Sequence, residues 1–182
     1  MKALRKVLWL SVLLSVLTTT GCMRAVSEAY TAYTGPKGIV SVIQPVRGSL
    51  GDYTSFEMAT FDDRSAGQVP RQLPALLPRD FARSLAEEGI PNSGGRTLLV
   101  RGQIVYYEDS ERVMDQVFGP FEEVVARVEL VDKASGSVLG VANCVGRSNT
   151  SVNKGVPEKA EGLAKAIASW IARNYPKSMK TK

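Results

Sequence analysis

The chain has 182 residues, a length that fits one globular domain, and its 44% hydrophobic and 23% charged content excludes a disordered or collagen-like protein. With no histidine and two cysteines it lacks the commonest general acid/base, and its ligands are too few for a structural zinc site or a multi-disulfide framework. The formal charge of +5 comes from the ends, Lys2, Arg5 and Lys6 in front and Lys177, Lys180 and Lys182 behind, so residues 22–175 are near neutral and offer no basic stripe for nucleic acid.

Residues 1–22, MKALRKVLWLSVLLSVLTTTGC, have a cationic start, an apolar run from Val7 to Leu17 and small residues before Cys22. The run is too short to span a hydrocarbon core of about 30 Å, so it reads as a secretory signal ending at residue 21. The Thr-Thr-Gly-Cys ending resembles the lipobox of bacterial lipoproteins. That resemblance implies diacylglycerol and fatty acyl chains on Cys22 as the mature first residue, and Met23 in place of Asp implies the outer membrane, facing the periplasm. Two or three chains at about 0.8 kcal/mol per buried methylene hold a protein on a membrane. Residues 22–36 then form a lipidated tether, 37–175 a single domain and 176–182 a basic tail.

The β-branched stretch 38–46, GIVSVIQPV, predicts a first strand whose Pro45 points to an edge or an unpaired end. A second strand is expected over 53–61, YTSFEMATF. From Arg71 to Glu88 the apolar residues Leu73, Leu77, Phe81 and Leu85 recur every fourth position, which defines a helix. Pro78 should kink or break it near Leu77, and Gly89 with Pro91 should stop it. The segment 92–96 is too short for a phosphate loop and reads as a turn.

Residues 97–108 alternate, with Leu98, Val100, Ile104 and Tyr106 on one face and Arg101 and Gln103 opposite. Residues 121–132 alternate most cleanly, with Val124, Ala126, Val128 and Leu130 against Glu123, Arg127 and Glu129. A hairpin turn at Lys133–Gly136 leads to a further strand over 137–147, and an amphipathic helix runs from Pro157 to about Asn174. Gly162 within that helix costs about 1 kcal/mol relative to Ala and hints at close packing. The order is ββαβββα: an α+β fold in which an antiparallel sheet carries both helices on one face and leaves Arg101, Gln103, Arg127 and Glu129 on the other, with some of Leu139, Val141 and Val145.

The segments VRGQIVYYEDSERV, FGPFEE, VARVELVDKASGSVLGVANCVGR and EKAEGLAKAIASWIA resemble a family of small bacterial lipoproteins known only as a domain of unknown function. The architecture is also similar to the amino-terminal domain of TolB and to the periplasmic body of the curli secretion lipoprotein. These resemblances imply a binding or assembly module of the cell envelope.

Candidate chemistry is sparse. Ser151 and Lys154 have the Ser-x-x-Lys spacing without its companion motifs. The adjacent acids Asp62-Asp63, Glu87-Glu88 and Glu122-Glu123 read as solvated charges, because strand neighbours point to opposite faces. Cys144, on an apolar strand, reads as an inert small hydrophobe. The connection 109–120 carries Val113, Met114, Val117 and Phe118 and is either packed locally or used for binding. The expectation is a non-enzymatic envelope accessory protein without a metal or cofactor. Cys22 anchors it, and Tyr106, Tyr107, Met114 and Phe118 are candidate contacts for an envelope protein partner. The alternatives are an oligomeric secretion or translocation component and a small envelope hydrolase.

Overall fold

The computed structural model describes residues 37–108, 122–148 and 155–177. Among these, Lys37–Gln44 form β1, Ser55–Met58 β2, Asp62–Asp63 β3, Gln72–Glu87 α1, Thr97–Tyr107 β4, Glu122–Asp132 β5, Val138–Ser148 β6 and Val156–Asn174 α2. A short 3-10 turn at Leu50–Asp52 precedes β2. The sheet runs β1-β6-β5-β4-β2, with β3 also against β4. The expected α+β architecture is therefore present, with one added short strand. The meander β4-β5-β6 is antiparallel throughout, and β1 closes one side by pairing antiparallel to β6.

One expectation needs correction. β2 and β3 lie parallel to β4, so the sheet is mixed rather than antiparallel. Parallel neighbours need a crossover of a dozen or more residues, and α1 with its flanking loops supplies it between Met58 and Thr97. The second strand is also shorter than its 53–61 pattern. Pairing stops at Met58, and Phe61 folds inward across the bare face of Gly102, where a Cβ would lie 2.6 Å from the Phe61 ring.

α1 is a single helix through Pro78, so of the kink or break expected near Leu77 the break does not occur. Its far end closes as foreseen: Gly89 takes φ 69°, and the Ile90 amide donates to the Leu85 carbonyl at 3.0 Å. Leu73, Leu77, Phe81 and Leu85 are buried against α2 and β2. α2 covers β1, β6 and β5, and its Leu163, Ile167, Trp170 and Ile171 enter the single core with Leu98, Val100, Ile104 and Val124.

That docking depends on absent side chains. A Cβ on Gly38 would clash with the Ala166 amide and sit 2.7 Å from the Gly162 carbonyl oxygen, and one on Gly162 would sit 2.9 Å from the Lys37 carbonyl. Gly146 faces the same seam, 2.5 Å from the Leu163 amide by the same measure. The close packing foreseen at Gly162 is thus a backbone-to-backbone contact between α2 and the β1–β6 pair.

Candidate functional site

The helices cover one face of the sheet, so the other face is where binding can occur. Strand alternation and register place its side chains in rows. One polar row runs Ser41, Asn143, Arg127, Gln103, and the next runs Val141, Glu129, Arg101. Arg101 donates from Nε to Glu129 at 2.7 Å across β4 and β5. Ala59, Thr60 and Asp62 stand beside this pair, and together with Arg101, Gly102, Gln103, Arg127 and Glu129 they line an open concavity of about 480 Å³. Positive and negative groups alternate there, so it carries no strong field of one sign.

A third row is apolar. Ile39, Val145, Val125 and Tyr106 face one another in register across β1, β6, β5 and β4. Ile39 and Tyr106 are 44% and 46% exposed, and Val105 beside Tyr106 is 43% exposed. With Val42 and Ile43 they make up the exposed large hydrophobics of the described residues, three of them on β1. An apolar row on the uncovered face of a sheet marks an interaction surface more often than scattered exposed residues do.

Tyr106 stands on this face through a bulge. The pairing of β4 with β5 shifts between Ile104 and Tyr106, which inserts Val105 and reverses the alternation beyond it. Tyr106 therefore points out, not inward with Leu98, Val100 and Ile104 as its spacing suggests. Tyr107 points in and is 4% exposed, so it has almost no surface to offer a partner. Cys22, Met114, Phe118, Ser151 and Lys154 lie outside the described residues.

Periodicity gave no hint of one buried group. Lys159 of α2 is fully buried, and its Nζ donates to the Tyr107 hydroxyl at 3.1 Å and the Glu108 carbonyl at 2.5 Å, 4.2 Å from the centre of the Tyr107 ring. These contacts pin the first turn of α2 beneath the end of β4. At the other end of the sheet Arg96 donates to Asp132 at 2.5 Å and lies 4.8 Å from the centre of the Tyr53 ring. The Arg96 hydrogen bond holds the Asp132 carboxyl below the usual carboxylate range. Burial pushes the Tyr53 phenol up, helped by the Asp132 charge. Asp63 at the β3 edge accepts from the Ser65 hydroxyl at 2.6 Å and the Ser65 amide at 2.7 Å, which lowers its pKa. Cys144 is buried and its thiol is pushed up to about 12 by desolvation, which fits the inert role expected of it. No group of three or more metal-ligating side chains occurs among the described residues, and none of their helices is long and apolar enough to cross a membrane.

No known protein family matches the chain, and no curated protein matches it. Among solved structures it is similar to PelC from Paraburkholderia phytofirmans, determined as a dodecamer in two crystal forms. The TM-scores are 0.53 and 0.52 at 15% and 14% identity, covering 77% of this chain and 99% of PelC. A candidate lipoprotein from Caulobacter crescentus aligns over 66% of this chain and 89% of its own, with a TM-score of 0.38 at 15% identity. That score is too low to count as a shared fold. The likeness to PelC is one of fold.

Proposed function

We propose that this chain is a lipid-anchored envelope protein that acts by assembling, with copies of itself, into an oligomeric accessory of a secretion, transport or surface-assembly system, without chemistry of its own. The observation that carries this reading is the set of exposed hydrophobics Ile39, Val42 and Ile43 on β1, of which Ile39 also ends the apolar row of the uncovered face. A monomer leaves these side chains in water, whereas an assembly through the β1 edge can cover them. The PelC fold, known as a dodecamer, supports the oligomeric form. The basic, apolar leader over residues 1–21, followed by Cys22 and by Met23 in place of Asp, supports delivery to the periplasmic face of the outer membrane. Tethering would raise the effective concentration of subunits in the plane of the membrane, which favours assembly through an interface too weak to hold in dilute solution.

The test combines fractionation with mass. The mature chain should carry fatty acyl groups, sediment with outer membranes and run as an oligomer in mild detergent. Cys22→Ser should move it into the periplasmic fraction. A wild-type chain without acyl groups, or one that is monomeric in detergent at all accessible concentrations, overturns the reading.

A further inference from the structure

The two ends of the sheet are matched to each other. Strand directions alternate from β4 through β5 and β6 to β1, and β2 and β3 run with β4, so β1 is antiparallel to β2 and β3. A second copy placed beside the first with the uncovered face on the same side therefore brings its β1 against β2–β3 in the antiparallel sense, the slightly more stable pairing per residue. β1 has no strand on its far side among the described residues. On the other edge the start of β2 is occupied, because the Ser93 amide donates to the Thr54 carbonyl at 2.9 Å and the Phe56 amide to the Asn92 side chain at 3.3 Å. The stretch from Glu57 to Asp63 lies beyond that cover.

Register fixes the heights of the two edges. Asp63 is level with Ile104, Ala126, Cys144 and Val40. At the other end Glu57 is level with Leu99 and Val131, where β5 meets the Leu139 bulge of β6, and the Arg47 amide donates to the Leu139 carbonyl at 2.9 Å. Arg47 and Glu57 thus stand at the same height on opposite edges. A rotation about an axis along the strands leaves heights unchanged, so it sets Val40–Arg47 of one copy against Glu57–Asp63 of the next. The exposed Val42 and Ile43 fall inside that span. Charge is complementary as well. The exposed Lys37 and Arg47 flank β1, and the exposed Asp62 and Asp63 lie on the other edge with Glu57, which Lys133 of the same chain already pairs at 2.6 Å, and with Arg64 next in sequence.

We infer that a second copy of this chain seats its β1 edge on the Glu57–Asp63 edge of the first, in a head-to-tail contact that repeats around a closed ring. The inference rests on the oligomeric reading above and names the surface it uses. Head-to-tail contacts close into rings where the rotation permits, whereas a β1-to-β1 pairing stops at two copies and sets like charges together. Each seam brings the β1 edge of one subunit up to the Ala59, Thr60 and Asp62 rim of the polar concavity of the next. An edge with three exposed hydrophobics is otherwise an aggregation hazard, which a specific partner edge removes.

The test uses the full-length chain extracted from membranes in mild detergent. Val42→Lys with Ile43→Lys should convert the oligomer to monomer with the melting temperature of the monomeric unit unchanged, since both side chains are already about half exposed. Arg47→Glu should raise the concentration for half-assembly, and adding Glu57→Arg together with Lys133→Glu, which keeps the Glu57–Lys133 pair in reversed form, should recover most of that loss. Mixing chains that carry Ile43→Cys with chains that carry Thr60→Cys should give oxidative cross-links only in the mixture, with the wild type as control for Cys22. Cross-links between two Ile43→Cys chains would show a β1-to-β1 dimer and overturn the inference. So would an oligomer that survives the double lysine change. A wild-type monomer instead overturns the oligomeric reading itself, so the two failures are distinct.

Discussion

Gly38→Ala should destabilise the domain through one contact. Its new methyl would meet the Ala166 amide and lie 2.7 Å from both the Ala166 Cα and the Gly162 carbonyl oxygen. Ordinary contact begins near 3.4 Å, so α2 and β1 must separate by roughly 0.7 Å or more. The obstructing atoms are backbone, so no rotamer change relieves them. Overpacking of this kind costs about 1–3 kcal/mol, and a domain of this size loses about 2–4 °C in Tm for each kcal/mol, giving a fall of about 2–12 °C. Gly162→Ala is the sharper companion. Helix propensity alone predicts a gain of about 1 kcal/mol, but its Cβ would sit 2.9 Å from the Lys37 carbonyl, 3.0 Å from the Arg147 amide and 3.1 Å from the Gly146 Cα. The net effect should be a loss. Calorimetry and urea unfolding of both variants, under conditions that keep the chain monomeric, measure it. A Gly162→Ala protein more stable than wild type would refute the backbone-contact account of the α2 seam.

Three further outcomes follow from the described geometry. Lys159→Ala should cost about 2–4 kcal/mol in urea unfolding, because it deletes a fully buried stem along with two hydrogen bonds, and Lys159→Met, which keeps the volume, should cost less; equal stability of all three proteins would contradict the packing role. Asp132 has its folded pKa lowered by Arg96, so its contribution is present above the unfolded value of about 3.9 and is lost as pH falls through the folded value. Asp132→Asn should therefore flatten the acid limb of the stability-against-pH curve, and an unchanged limb counts against the pairing. With its thiol near pKa 12, Cys144 should resist maleimide at pH 8 in the native state and react once urea unfolds the chain; native labelling at an unfolded rate would disprove its burial.

Much of the uncovered face was legible from alternation alone. Arg101, Gln103, Arg127 and Glu129 occupy the positions opposite Leu98, Val100, Val128 and Leu130, and the strands kept that parity. Ala59, Thr60 and Asp62 were not legible as the rim of the concavity, because they reach it only through the parallel pairing of β2 and β3 with β4. Tyr106 and Tyr107 were exchanged between faces by one inserted residue. Nothing local in Ile104-Val105-Tyr106 marks the bulge, whose position is set by which residues of β5 pair on either side of it.

The sequence by itself determined both helices and the long strands, where Gly89 ends α1, the apolar faces up to Ile104 and that Gly162 needs room, since each of these follows from neighbours within one turn or one strand. Strand order, the parallel β2, the heights that bring Arg47 level with Glu57 and the burial of Lys159 were decided only by the tertiary structure. They depend on pairings between residues tens of positions apart, which local periodicity does not encode and which the packing of α2 on the β1–β6 pair selects.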